Sequence, residues 1–206
     1  MNAPVRRSPL AHREAIEASE GVLRLAERPF EAKLILRAEA RVAAKAAEAL
    51  GVDLPENCRF SEADGVLMAW LSPDEFLIAG PENKEGDMAG KIAASLGDAH
   101  HLVSNVTDYY TTLSYGGLKA REALMKLSTL DLHPRGFSTG DVKGSVFMHA
   151  NAYLMQRTDD ETEGGPSFDL IVRWSHADYL WCALAHSGRE WGLPEQKLKS
   201  GERLVI

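Results

Sequence analysis

Cysteine is nearly missing from this chain: Cys58 and Cys182 are the only two in 206 residues. They stand far apart and belong to no C-x-x-C pair, so a disulfide framework is ruled out and both read as reduced, structural thiols. Long apolar runs are also lacking. None approaches the roughly 20 residues that cross a bilayer. The amino terminus has no continuous apolar segment of the secretory type, so the chain is expected in the cytoplasm and not in a membrane. Basic residues are outnumbered: 23 Lys and Arg against 30 Asp and Glu leave a formal net charge of −7. That balance repels phosphate backbones and disfavours a nucleic-acid binder.

The common catalytic fingerprints are missing as well. No G-x-S-x-G elbow, Walker loop or G-x-G-x-x-G turn occurs, so acyl transfer and nucleotide binding lack their scaffolds. No flavin or NAD site is expected in this chain. Seven histidines are present, but His100 and His101 are adjacent and point apart. His176 and His186, ten apart on an expected helix, share no face, and no metal site is expected.

What remains is an ordinary globular composition. Hydrophobic residues make up 45% and charged ones 26%, enough to bury a core as one large domain or two small intimate ones. The organising stretch runs from Val103 to Phe137. From Val106 to Tyr115 it is rich in Thr, Tyr, Val and Leu, which suit a pleated surface and predict a strand. Gly116-Gly117 permits a tight turn. Ala120, Ala123, Leu124 and Leu127 then recur at helical spacing, with Lys119, Arg121, Glu122 and Lys126 on a solvated face. Pro134 ends the unit by discouraging helix at His133.

Before this stretch, strands are expected over Gly21–Leu25 and Ala32–Leu36, and an Ala-rich helix over Ala40–Leu50, closed by Gly51. A hairpin, Val66–Leu71 and Glu75–Ala79, turns at Ser72-Pro73-Asp74, and a second helix covers Met88–Leu96. After it, strands are expected over Ser145–His149, Tyr153–Arg157 and Phe168–Arg173. The acidic segment Thr158–Pro166 between the last two reads as a mobile hairpin loop. Ser175 with Asp178 has the form of a capping box for a helix that turns Leu180, Trp181, Leu184 and Ala185 inward. Trp70, Trp174, Trp181 and Trp191 read as core or interface aromatics.

The two halves echo each other at an offset of 78 residues. Val42, Ala46 and Ala49 fall opposite Ala120, Leu124 and Leu127, and Asp53-Leu54 opposite Asp131-Leu132. The expected class is α+β, built from pseudo-duplicated β-α-β-β-α units, each covering the sheet face that the other leaves bare. Residues 1–19 read as an N-terminal arm, either one that orders against a partner subunit, burying Leu10 and offering Arg6 or Arg7 to acidic groups, or a disordered end. Residues 20–206 form one domain of two intimate halves, about 20–100 and 101–206.

The stretch N-V-T-D…G-G-L-K-A-R-E-A-L-M-K-L…D-L-H-P-R-G-F (105–137) resembles the gamma subunit of heterotetrameric sarcosine oxidase. More distantly, the strand and helix entry at Gly117 to Leu124 is similar to the folate-binding fold of the glycine-cleavage aminomethyltransferases. The resemblance covers roughly Ser8 to Leu193. It implies a complex that demethylates sarcosine oxidatively to glycine. FAD, FMN, NAD, tetrahydrofolate and zinc would then lie in its alpha, beta and delta subunits, and this chain would hold no cofactor of its own. The departures matter more. The late hairpin of the folate enzymes carries a G-Y-T-G-E type segment, which Thr158–Pro166 does not reproduce, and the K-G-C-Y-x-G-Q-E motif of folate-dependent iron–sulfur maintenance proteins is also missing.

No catalytic residue is expected. The one polar constellation is Asp108 with Asp131, His133 and Arg135, read either as a vestigial pocket or subunit contact in which Arg135 pairs a carboxylate, or as simple closure of the turn after the helix. The expected role is an accessory, non-catalytic subunit. The alternatives are a stand-alone folate-dependent aminomethyltransferase-like enzyme and a self-associating module.

Overall fold

The computed structural model describes residues 6–160, 162 and 164–194. Its strands make two antiparallel sheets with helices outside them. In chain order the elements are β1 Ile16–Glu17, β2 Arg24–Arg28, β3 Ala32–Arg37, α1 Ala40–Leu50, β4 Phe60–Ala63, β5 Val66–Ser72, β6 Glu75–Gly80 and α2 Glu85–Leu96. There follow β7 Leu102–Asn105, β8 Tyr110–Gly116, α3 Ala120–Met125, β9 Val142–Phe147, β10 Ala150–Thr158, β11 Ser167–Arg173 and α4 Trp174–Ser187. One sheet runs β1-β2-β8-β11-β10-β9 and the other β4-β5-β6-β3-β7.

Written from the edge inward, the sheets have one topology. β4-β5-β6-β3 in one matches β9-β10-β11-β8 in the other, each followed by a helix at the same point of the chain. The repeated unit is thus β-α-β-β-β-α, one strand longer than the expected unit, because the sequence pattern missed β4. β2 comes from the first half of the chain but pairs with β8, and β7 pairs with β3. The corresponding edges β4 and β9 touch through the Arg59–Asp141 bridge.

Strand alternation assigns the faces. Leu34, Leu36, Met68, Phe76 and Ile78 point outward onto α1 and α2 and form one core with them. Leu113, Tyr115, Phe168, Leu170 and Val172 do the same with α3 and α4. The opposite faces meet through Leu67, Leu77, Val142, Met155 and Ile171. The result is four layers, helices–sheet–sheet–helices, with three apolar seams. α1 forms because its Ala-rich sequence places Val42, Ala43, Ala46, Ala47 and Leu50 on one buried face. Gly51 ends it at φ 76°, where a side chain would be strained.

Four local expectations are corrected. Val106–Tyr115 is not one strand: Asn105 accepts the Thr107 amide on its side chain at 3.0 Å, and Tyr109 donates to the Val106 carbonyl at 3.0 Å. That Asx turn sends β7 and β8 to different sheets. The Ser175–Asp178 capping box does not form, since Arg173 is the N-cap without a side-chain cap bond and Asp178 is held by Arg13. Arg121 is buried and not on a solvated face. Leu10 is buried in this chain's own core, at 1% exposure, and not against a partner. Residues 1–5 of the expected arm, and Glu161 and Glu163 of the acidic hairpin loop, lie outside the described residues.

Candidate functional site: a charged cluster between the sheets

Where the two inner sheet faces part, the apolar seam gives way to charge. β2 ends in Arg28, the following turn supplies Glu31, β3 supplies Lys33, β4 Glu62, β8 Thr112, β10 Arg157 and β11 Asp169. Arg28 Nη2 donates to Asp169 Oδ2 at 2.6 Å, and its Nε lies 3.0 Å from Glu31 Oε1. Glu31 Oε2 accepts from Thr112 Oγ1 at 2.6 Å and from Lys33 Nζ at 3.3 Å. Arg157 Nε stands 3.4 Å from Asp169 Oδ2, and Arg157 also pairs with Glu62. Three cations and three anions therefore neutralise one another, the condition for charge to survive between packed sheets.

Burial sets the protonation tendencies. Removal from water raises the Asp169 carboxyl above its ordinary value, although Arg28 and Arg157 pull it down. Desolvation likewise lowers the Lys33 ammonium, against the attraction of Glu31. Desolvation also pulls on the Arg28 guanidinium, but Asp169 and Glu31 outweigh it and raise its value. The two partners move as they do because Asp169 is 3% exposed and Arg28 is 43% exposed.

A cleft of about 200 Å³ opens beside the cluster, walled by Leu67, Ala79, Pro81, Met155 and Ile171. Asp169 Oδ1 and Arg157 Nη1 are buried and find no hydrogen-bond partner among the described residues. The chemistry this arrangement offers is polar recognition by one acceptor and one donor. Thr112 Oγ1 donates to Glu31, whose carboxylate Arg28 and Lys33 also hold. Among the described residues no group of three or more His, Cys, Asp or Glu side chains is placed to hold a metal. No helix there is long and apolar enough to cross a membrane.

The constellation expected from sequence is split. Asp131 Oδ1 accepts the His133 amide at 3.0 Å and His133 Nδ1 accepts the Arg135 amide at 3.2 Å, so these three close the exposed turn after α3. Arg121 holds that turn from beneath, donating to the carbonyls of Leu132 and Phe137. Asp108 pairs instead with Arg6 of the N-terminal segment. It precedes the first residue of β8, whereas Phe137 stacks on Phe168, which pairs with Tyr115 near the strand's other end. A seven-residue strand, about 20 Å, lies between. The charged cluster itself was missed. Its signal was present: Lys33 and Asp169 each interrupt an apolar strand, in A-K-L-I-L and F-D-L-I-V.

The backbone is similar to that of glycine cleavage system aminomethyltransferase T from Bartonella henselae, with TM-score 0.59 and 11% identity over 88% of this chain and 48% of that one. The fold is thus of the two-sheet α+β class that this aminomethyltransferase shares. Residues 37–190 match the sarcosine oxidase, gamma subunit family. The chain is 35% identical over 165 residues to sarcosine oxidase subunit gamma of an Arthrobacter species, covering 77% of this chain and 80% of that relative. It also superposes on a chain of the heterotetrameric sarcosine oxidase from Corynebacterium sp. U-96 in complex with pyrrole 2-carboxylate. The TM-score there is 0.77 and the identity 28%, over 90% of this chain and 96% of that one. The chain belongs to the sarcosine oxidase gamma subunit family.

Proposed function

We propose that this chain is an accessory subunit of a heterotetrameric sarcosine oxidase, contributing shape and not a reaction centre. The observation that carries this reading is the superposition on 96% of a chain taken from such a heterotetramer. Its partners are then alpha-, beta- and delta-type subunits in the cytoplasm, which hold the flavins, NAD and zinc. The reaction is the oxidative demethylation of sarcosine, with the one-carbon unit passed to tetrahydrofolate, a step in sarcosine catabolism and one-carbon metabolism. The mutually neutralised cluster supports a wall that excludes water more than a site that reacts. Residues 6–19 and the body from residue 20 onward act as one piece, with Asp108 and the exposed His133–Arg135 turn as separate points of subunit contact. Co-expression with the flavoprotein subunits tests the assembly. The chain is expected to co-purify with them in equal stoichiometry, and elution alone contradicts it.

The cleft beside Asp169 favours one second reading, a free-standing folate-dependent aminomethyltransferase. Titration of tetrahydrofolate into the isolated chain decides between them: tight one-to-one binding supports the enzyme, and weak or no binding supports the subunit.

A further inference from the structure

β9 is the outer strand of its sheet, and its pairing stops short. Its even-numbered residues turn their backbone groups away from β10. Val142 donates to the Cys58 carbonyl at 2.8 Å, and Met148, just past the strand, donates to the Leu127 carbonyl. Between these two plugs, no hydrogen bond reaches the outward groups of Gly144 or Val146 among the described residues. Both are exposed, Val146 at 49% and neighbouring Met148 at 49%. An open edge flanked by exposed apolar side chains is a template for one more strand.

Beside this edge the inner face of the sheet is uncovered. It forms a cleft of about 430 Å³ with Tyr110, Tyr153, Ile171 and Val146 as walls and Gly144 as part of the floor. A Cβ at Gly144 would come within 3.3 Å of the Tyr153 ring. Burial pushes the Tyr110 hydroxyl up to about 12, so the wall stays neutral. Arg173 is the one charged residue in the lining. It lies over the Tyr109 ring at 5.4 Å, and no carboxylate pairs with it among the described residues.

We propose that the open edge of β9 takes a short extended segment of a partner subunit, which puts an apolar side chain into the tyrosine-lined cleft and a carboxylate on Arg173. The gap is two outward residues long, which suits a segment of a few residues. The inference rests on the subunit reading above. The charge argues for the occupant, since a guanidinium that has no carboxylate partner among the described residues, in a cleft lined otherwise by uncharged residues, selects a carboxylate.

Amide hydrogen exchange on the full-length chain, alone and in the complex with the flavoprotein subunits, tests this at two residues. The Gly144 and Val146 amides are expected to slow by about 100-fold in the complex, while Ser145 and Phe147, already bonded to β10, change little. Val146→Pro removes an outward N–H and leaves the ladder intact. It and Arg173→Glu are expected to weaken co-purification about tenfold with an unchanged melting temperature. A complex in which both amides exchange as fast as in the free chain overturns this inference and leaves the subunit reading standing. Absence of any complex removes both. Slowing in the isolated chain as its concentration rises makes the occupant a second copy and overturns the proposal.

Discussion

Gly117 sits at φ 125° with its Cα against the Val22 carbonyl, where a Cβ would fall 2.4 Å from that oxygen. The close approach lets Lys119 donate to the same carbonyl at 3.0 Å, tying the start of α3 to the segment before β2. Gly117→Ala adds both a strained dihedral and a backbone clash, so a loss of about 3 kcal/mol is expected in denaturant unfolding. An unchanged midpoint contradicts the geometry. Lys33 makes a prediction about pH. Burial holds its ammonium below the ordinary 10.5. Between that lowered value and 10.5 the unfolded chain binds more protons than the folded one, so stability rises with pH across this window. Lys33→Met leaves Glu31 its bonds to Arg28 and Thr112 and should abolish that rise, measured as unfolding free energy at a series of alkaline pH values. These residue-scale features were only partly legible. The glycine pair announces a turn, but which of the two cannot carry a side chain depends on Val22, 95 positions earlier.

At the scale of elements, the segment before β1 behaves as part of the body. Arg13, with its side chain 2% exposed, donates from Nε to Asp178 Oδ1 at 2.6 Å and from Nη2 to Cys182 Sγ at 3.2 Å, joining the segment to α4. Arg13→Ala should cost about 2 kcal/mol, less than a fully buried pair because Asp178 stays half solvated. It should also make the bonds around residues 6–14 the first cut in limited proteolysis. Burial opposes the Asp178 charge, but Arg13 and His12 outweigh it and hold its carboxyl below 3.8. The tether therefore contributes at higher pH and is lost as pH falls through the lowered value. α1 was fully legible, because its periodicity and terminal glycine act locally. The break between β7 and β8 was not, because β-branched residues run through it and only Asn105 and Asp108 mark the turn. β4, with one apolar face and a polar sequence F-S-E-A, gives no local signal, and pairing with β5 creates it.

For the whole molecule, the repeat was legible as a 78-residue echo, and β3 and β8 do start 78 positions apart. The exchange of β2 and β7 between the sheets is a matter of long-range pairing and leaves no trace in the sequence pattern. The charged cluster lies at the seam those pairings create, which is why its members, spread from Arg28 to Asp169, looked unrelated in the chain. Its cations and anions pair across that seam, and the proposed role is a two-sheet body that offers surfaces to other subunits and no reaction centre of its own. The rate of sarcosine oxidation by the separately purified chain tests that claim most directly. No turnover above the blank is expected, with activity appearing only when the flavoprotein subunits are added. Measurable turnover by the chain alone would contradict the account.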